Sequence, residues 1–148
     1  MSVSDAALRR FTGYGMKRAF NAIQADVNRT LKPHGLRMVT FSALSVIGEN
    51  PGLSQAQLAD ALSIERPNIV MLIDELEAAG LVLRERHAAD RRAYALALTG
   101  EGRRRLARAD RAVRAHDARM TAGLSTEDRA RLMEMLGSVE RAGEEATG

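Results

Sequence analysis

The sequence predicts a mainly α-helical protein with one small β-hairpin, an α+β class. Three observations carry that expectation. Apolar residues recur at helical spacing through most of the chain, the period switches to alternation only around residues 81–98, and Gly and Pro punctuate the segments at short intervals. With 148 residues, 45% of them hydrophobic and 28% charged, the chain is long enough to bury a core as one domain, residues 1–148. There is no Cys, which excludes a disulfide framework, a thiolate metal site and a cysteine redox sensor. No apolar run reaches membrane-spanning length, and residues 1–10 lack the basic-then-apolar order of a signal peptide, so the expected compartment is the cytoplasm, with no membrane partner.

Residues 4–31 read as a first helix, with Phe20, Ile23, Val27 and Leu31 on one face. Gly13 and Gly15 spoil its early part and mark a kink, a close backbone approach or a frayed start. Pro33 and Gly35 end it. Residues 38–48 form a second helix with Val39, Leu44 and Ile47 as core, closed by Asn50-Pro51-Gly52. Ser54 opens a short helix over 54–62, with Gln57 completing a capping box and Leu58 and Leu62 facing inward. The next helix spans 65–79, capped by Ser63 or Glu65, with Pro67 in its first turn. Its buried stripe is Ile69, Leu72, Ile73 and Leu76, and Gly80 ends it. Residues 81–86 and 93–98 are strands, and Tyr94, Leu96 and Leu98 alternate with alanines. A long helix follows over 99–121. Ser125 caps a last helix carrying Leu132, Met135, Leu136 and Val139, and residues 143–148 fray at its end.

Two short helices joined by a tight turn and followed by a hairpin make a winged helix-turn-helix, here residues 36–99, with helical extensions on either side. A helix fits the major groove of duplex DNA, the helix before it braces it against the backbone, and a hairpin reaches phosphates or the minor groove, where arginine is favoured. The solvent face of the 65–79 helix tests the idea. It presents Pro67, Val70, Met71 and Asp74, flanked by Asn68 and Glu75, where an ordinary solvated face would carry Lys and Glu. Apolar side chains there suit thymine methyls and Asn68 suits adenine. The competing reading puts Val70 and Met71 in a wider core stripe. The charge distribution is a difficulty: residues 38–83 sum to −5, with Arg66 their one cation, whereas residues 1–37 sum to +5 and 84–119 to +6. Asp74, Glu75 and Glu77 repel phosphate unless they point away or are offset by Arg66 and the hairpin arginines. The candidate DNA contacts are therefore Ser54, Gln55, Arg66, Pro67, Asn68, Val70 and Met71 on the helices, and Arg84, Asp90, Arg91 and Arg92 on the wing.

The run from Leu58-Ala59 through Ile69, then Leu76 to Arg84, Asp90-Arg91-Arg92-Ala93 and Leu98-Thr99-Gly100-Glu101-Gly102, resembles the MarR family of regulators in order and spacing. The resemblance covers residues 8–139 and departs from the family pattern at Met71, where many members carry a polar or basic residue. It implies a homodimer built from residues 1–35 and 100–148, an Asp-x-Arg wing in which Arg92 touches the minor groove, and Arg84 as a partner for Asp90. It also implies a repressor that binds a palindromic operator, and a ligand cavity between the dimer and DNA-binding regions. Tyr14, Lys17, Arg18, Phe20, Met38 and Phe41 are the candidates to line that cavity, for a small organic effector that is aromatic or amphipathic and carries an anionic group.

The remaining features carry no chemistry. His34, His87 and His116 form no ligand-spaced pair, so no metal is expected. No Ser, His and acid set sits in a nucleophile context, Gly13-x-Gly15 lacks the preceding strand of a nucleotide loop, and Arg103-Arg104-Arg105 reads as a solvated helix face. Neither an enzyme nor a cofactor is expected. The alternative to a DNA-binding regulator is a winged-helix module that binds protein, which the wing arginines disfavour and the acidic helix favours.

Overall fold

The protein is described by a computed structural model that covers residues 1–86 and 94–148. Six α-helices and a hairpin follow one another: α1 (Thr12–Leu31), α2 (Met38–Glu49), α3 (Gln55–Leu62), α4 (Arg66–Ala78), β1 (Val82–Arg86), β2 (Tyr94–Leu98), α5 (Gly100–Met120) and α6 (Thr126–Thr147). Contacts divide the chain into two compact units, residues 1–114 and 115–148, with the boundary inside α5.

The first unit is built on local signals that the sequence displays. Ser54 caps α3: its hydroxyl accepts from Gln57 N at 3.1 Å while Gln57 Oε1 accepts from Ser54 N at 2.9 Å. Glu65 is the cap residue of α4, and the expected stripe Ile69, Leu72, Ile73 and Leu76 is buried. Between α3 and α4 the backbone turns through Ser63, which stands at φ 52°. A left-handed residue lets the chain leave one helix and enter the next within three residues. Gly80, at φ 74°, does the same after α4 and delivers Leu81 to the hairpin. β1 and β2 pair antiparallel with Val82 opposite Leu98 and Arg86 opposite Tyr94. The free edge of β2 is covered by residues 52–54: Leu96 N donates to Leu53 O and Gly52 N to Leu96 O, both at 2.9 Å. Leu44, Ile47, Leu58, Ile69, Ile73, Leu81 and Leu96 meet beneath these elements as one core.

Two expectations are corrected. The first helix does not start near residue 4; a separate 3-10 turn (Leu8–Arg10) precedes it, Phe11 is extended, and α1 begins at Thr12. Gly13 and Gly15 lie in its first turn and a Cβ on either would meet nothing within 4 Å, so they mark the weak start and no close approach. The apolar face of α1 is split. Val27 and Leu31 enter the core, whereas Phe20 and Ile23 are exposed. The last segment does not fray at residue 143, since α6 continues to Thr147.

The second unit contains the end of α5 and α6. Ser125 caps α6 by accepting from Asp128 N at 3.0 Å, and Arg129 reaches back to Asp117 in an ion pair. None of the 22 residues of α6 is buried; Leu132, Met133, Met135, Leu136 and Val139 all face solvent.

Candidate DNA interface

The reading helix α4 presents its first turns outward. Arg66, Pro67 and Asn68 are exposed, and beside them Val70 is 41% and Met71 70% accessible. The wider-stripe reading of Val70 and Met71 is thereby overturned: four residues fill the buried side of α4, and these two stand on the other. Two clefts flank this ridge. On one side, Ser54, Gln55, Arg66, Val70 and Tyr94 line a cleft of about 340 Å³, so four of the sequence-derived contact residues share one concavity with the root of the wing. Gln55 Oε1 is buried there with no hydrogen-bond partner. On the other side, Asn68 and Met71 line a cleft of about 400 Å³ with Arg37, Val39 and Glu75.

The acidity of α4 is answered by arginines from outside the acidic segment. Arg37 grips Glu75 with both terminal nitrogens, Nη1 to Oε1 at 2.5 Å and Nη2 to Oε2 at 2.9 Å. This hydrogen-bonded fork holds the Glu75 carboxyl below the usual carboxylate range. Arg84 donates to Asp74, and its Nε lies 3.9 Å from Glu77 Oε2, within ion-pair range though beyond hydrogen-bond reach. Arg84 thus leans back onto α4; its implied pairing with Asp90 falls on a residue that is not described. Asp90, Arg91 and Arg92 lie outside the described residues.

The root of the wing is held by Thr99. Its hydroxyl donates to Gly80 O at 2.6 Å and accepts from Gly102 N at 2.9 Å, while its own N–H donates to Leu81 O at 3.0 Å. The Leu-Thr-x-x-Gly run therefore ties the start of α5 to the exit from α4. The arginine run beyond it is engaged within the protein: Arg103 Nη1 donates to Leu98 O, Arg104 pairs with Glu101, and Arg105 Nη1 donates to His34 O.

The six candidate effector residues are not gathered into one cavity by a single chain. Asn28 Oδ1 accepts from Met38 N at 2.8 Å, so Asn28 is the α1 residue beside the start of α2. At 1.5 Å rise per residue, Phe20 lies about 12 Å and Tyr14 about 21 Å farther along α1. Tyr14 donates to Asp5 Oδ2 at 2.5 Å, which lowers the Asp5 pKa and raises that of Tyr14; Lys17, Arg18 and Phe20 are exposed. Met38 and Phe41 are half-buried against the core. A larger cleft, about 520 Å³, opens between α2, β2 and α5, lined by Ser45, Ile47, Leu98, Leu106, Arg103 and Asp110 among others, and none of the six lines it.

Two functional features escaped the sequence reading. Arg37 stands 38 residues from Glu75 with no periodic relation to it. The α5 residues Arg103, Leu106 and Asp110, which line the 520 Å³ cleft, recur at helical spacing, the signal by which the sequence carries them.

A helix-turn-helix with a paired hairpin behind it, an outward-facing second helix and charge-balanced flanks defines the winged-helix class of nucleic-acid-binding folds. Comparison with known proteins narrows this. A profile of the MarR family matches residues 34–93. A putative transcriptional regulatory protein for the hcr operon of Thauera aromatica is 36% identical over 125 residues, covering 84% of this chain and 75% of that protein. Among solved structures, the transcriptional repressor CouR bound to a 23-mer DNA duplex superposes with a TM-score of 0.89 at 36% identity, covering 95% of this chain and 99% of CouR. CouR bound to p-coumaroyl-CoA gives 0.87 at 35% identity, with the same coverage. The chain belongs to the MarR family of transcription regulators. No helix among the described residues is long and apolar enough to cross a membrane.

Proposed function

We propose that this protein is a repressor that binds a palindromic DNA site as a homodimer and releases it on binding a small aromatic or amphipathic effector. The observation that carries the reading is the solvent face of α4, where Arg66, Asn68, Val70 and Met71 stand clear while every acid on the helix is held by an arginine. Such a face can enter the major groove, place apolar groups on thymine methyls and offer an amide to adenine, with Asp74, Glu75 and Glu77 offset by arginine. The solved relative on a 23-mer duplex supports the same mode. Ser54 and Gln55 lie at the α3 N-terminus beside that face, suited to the flanking backbone. The wing, with Arg91 and Arg92, would supply charge that residues 38–83 lack. Arg92→Ala is expected to weaken duplex binding by about 1–3 kcal/mol and to lower the salt slope by about one unit; an unchanged slope would remove Arg92 from the interface.

The dimer is proposed from the apolar side chains that α1 and α6 leave uncovered, with 1–35 and 100–148 as the proposed dimer regions around a reading region of 36–99. The effector class is supported by the relative bound to p-coumaroyl-CoA, and the 520 Å³ cleft, of a size that suits a drug-sized ligand, offers apolar walls together with Arg103, Glu49 and Asp110. A coupling of about 1–3 kcal/mol would weaken DNA binding roughly 5- to 150-fold.

The test is selection of a bound duplex from a random pool, followed by footprinting with and without p-coumaroyl-CoA. Protection of two inverted half-sites about 34–36 Å apart is expected, with release on adding an aromatic acyl thioester. A single asymmetric half-site would refute the symmetric mode. No duplex bound even at low salt would replace it with the protein-interaction module.

A further inference from the structure

We propose that Arg37 and Arg84 are charge-cancelling positioning residues that clasp α4 from its two flanks and neutralise Glu75, Asp74 and Glu77, so that an acidic helix can approach DNA phosphates. The inference rests on the DNA-binding reading above and adds to it a role for residues that need not touch DNA.

The two arginines stand immediately before and after the acidic segment of residues 38–83, whose formal charge is −5. Neither is a local helix partner of the acids it meets. Arg37 arrives from the start of α2 and Arg84 from β1. Each is anchored at its base. Arg37 N donates to Thr40 Oγ1 and Thr40 Oγ1 donates to Arg37 O, both at 2.9 Å, and the neighbouring Met38 N is taken by Asn28. Arg84 is fixed by the ladder opposite Leu96, and only 20% of its side chain is accessible. The acids are not so hidden: Asp74 keeps 58% of its side chain accessible and Glu75 48%. The geometry is therefore that of two braced cations reaching to solvent-facing carboxylates, of which Glu75 lies beside Asn68 and Met71. Duplex DNA carries about one negative charge per 1.7 Å of axis, so each bare carboxylate on an inserted helix opposes binding whatever the sequence read. With both terminal nitrogens of Arg37 committed to Glu75, its fork is used on the protein and not on phosphate.

The experiment measures binding of a fluorescent 24-base-pair duplex of random sequence to the full chain across a salt series. Arg37→Ala is expected to weaken binding about three- to tenfold and lower the salt slope by about one unit. Glu75→Gln, which frees the arginine, tightens it by a similar factor. The double variant has the wild-type net charge and returns to within about twofold of wild type in affinity and slope. Arg84→Ala with Asp74→Asn behaves the same way, short of full recovery because Glu77 remains. A double variant as weak as Arg37→Ala overturns the proposal, since removing the carboxylate then fails to replace the cation that cancels it. If Arg37→Ala fails to fold, Glu75→Gln alone decides: affinity unchanged or reduced refutes charge cancellation. A wild-type protein that binds no duplex at low salt instead refutes the DNA-binding reading itself.

Discussion

Gly102→Ala is expected to destabilise the fold by about 3 kcal/mol, near the upper end for forced overpacking. An ideal Cβ at Gly102 would lie 2.1 Å from Leu81 O and 3.0 Å from Leu81 C. The obstacle is backbone, and it is held from several sides. Leu81 O accepts from Thr99 N, Leu81 N donates to Leu76 O at 3.0 Å, and the Leu81 side chain is buried in the core. Relief requires either α5 to back away from the hairpin, which breaks the bonds of the Thr99 hydroxyl to Gly80 O and from Gly102 N, or the exit from α4 to move, which opens the core. At about 2–4 °C per kcal/mol for a chain of this size, the melting temperature falls by roughly 6–12 °C at fixed protein concentration. Gly100→Ala is the control. Its Cβ would meet the side-chain ends of Arg104 at 3.4 Å and Arg103 at 3.9 Å and no backbone, and alanine in a helix is preferred to glycine by up to about 1 kcal/mol, so no loss is expected. A Gly102→Ala protein melting within a degree of wild type would show that the close approach is not a constraint.

What the sequence made legible and what it did not follow the range of the interactions. The stripe Ile69, Leu72, Ile73 and Leu76 and the Ser54–Gln57 box were readable because each depends on residues a turn or two apart, and the structure places them as expected. The outward stand of Val70 and Met71 was the favoured reading of that same period. The pairing of Arg37 with Glu75 is not readable, because it depends on where the residue before α2 lies relative to α4, a tertiary fact with no local periodicity. Without it the acidity of the reading helix looked like an objection to DNA binding. The contact of Arg84 with Asp74 is tertiary in the same way, since it depends on how β1 returns beside α4. Phe20 and Ile23 share the helical period of Val27 and Leu31, yet the core of the first unit covers only the C-terminal half of that stripe. Periodicity reports that a face will be covered and is silent on whether the cover belongs to the same chain.

That silence bears most heavily on α6. A helix of 22 residues with none buried gains little from its own propensity and capping, because helical stability in proteins comes chiefly from packing an apolar face. Leu132, Leu136 and Val139 recur at i, i+4 and i+7, with Met135 beside them, and all are exposed within the chain. If a second copy covers them, Leu136→Glu places an unpaired carboxylate in an apolar interface. The cost is at least about 3 kcal/mol, or roughly a hundredfold or more in the dimer dissociation constant. Light scattering at micromolar concentration is then expected to show the mass of a dimer for the wild type and of a monomer for the variant. The melting temperature of the wild type falls on dilution, since partner binding stabilises only the folded state. Binding to a palindromic duplex drops with the dimer, because the second half-site is no longer tethered to the first and its effective concentration is lost. Leu136→Met, which keeps the volume and the apolar character, serves as the matched control and should leave mass and DNA binding intact. A Leu136→Glu protein that stays dimeric and binds the duplex as wild type would assign the dimer to other surfaces and leave α6 as a helix exposed in the assembly too.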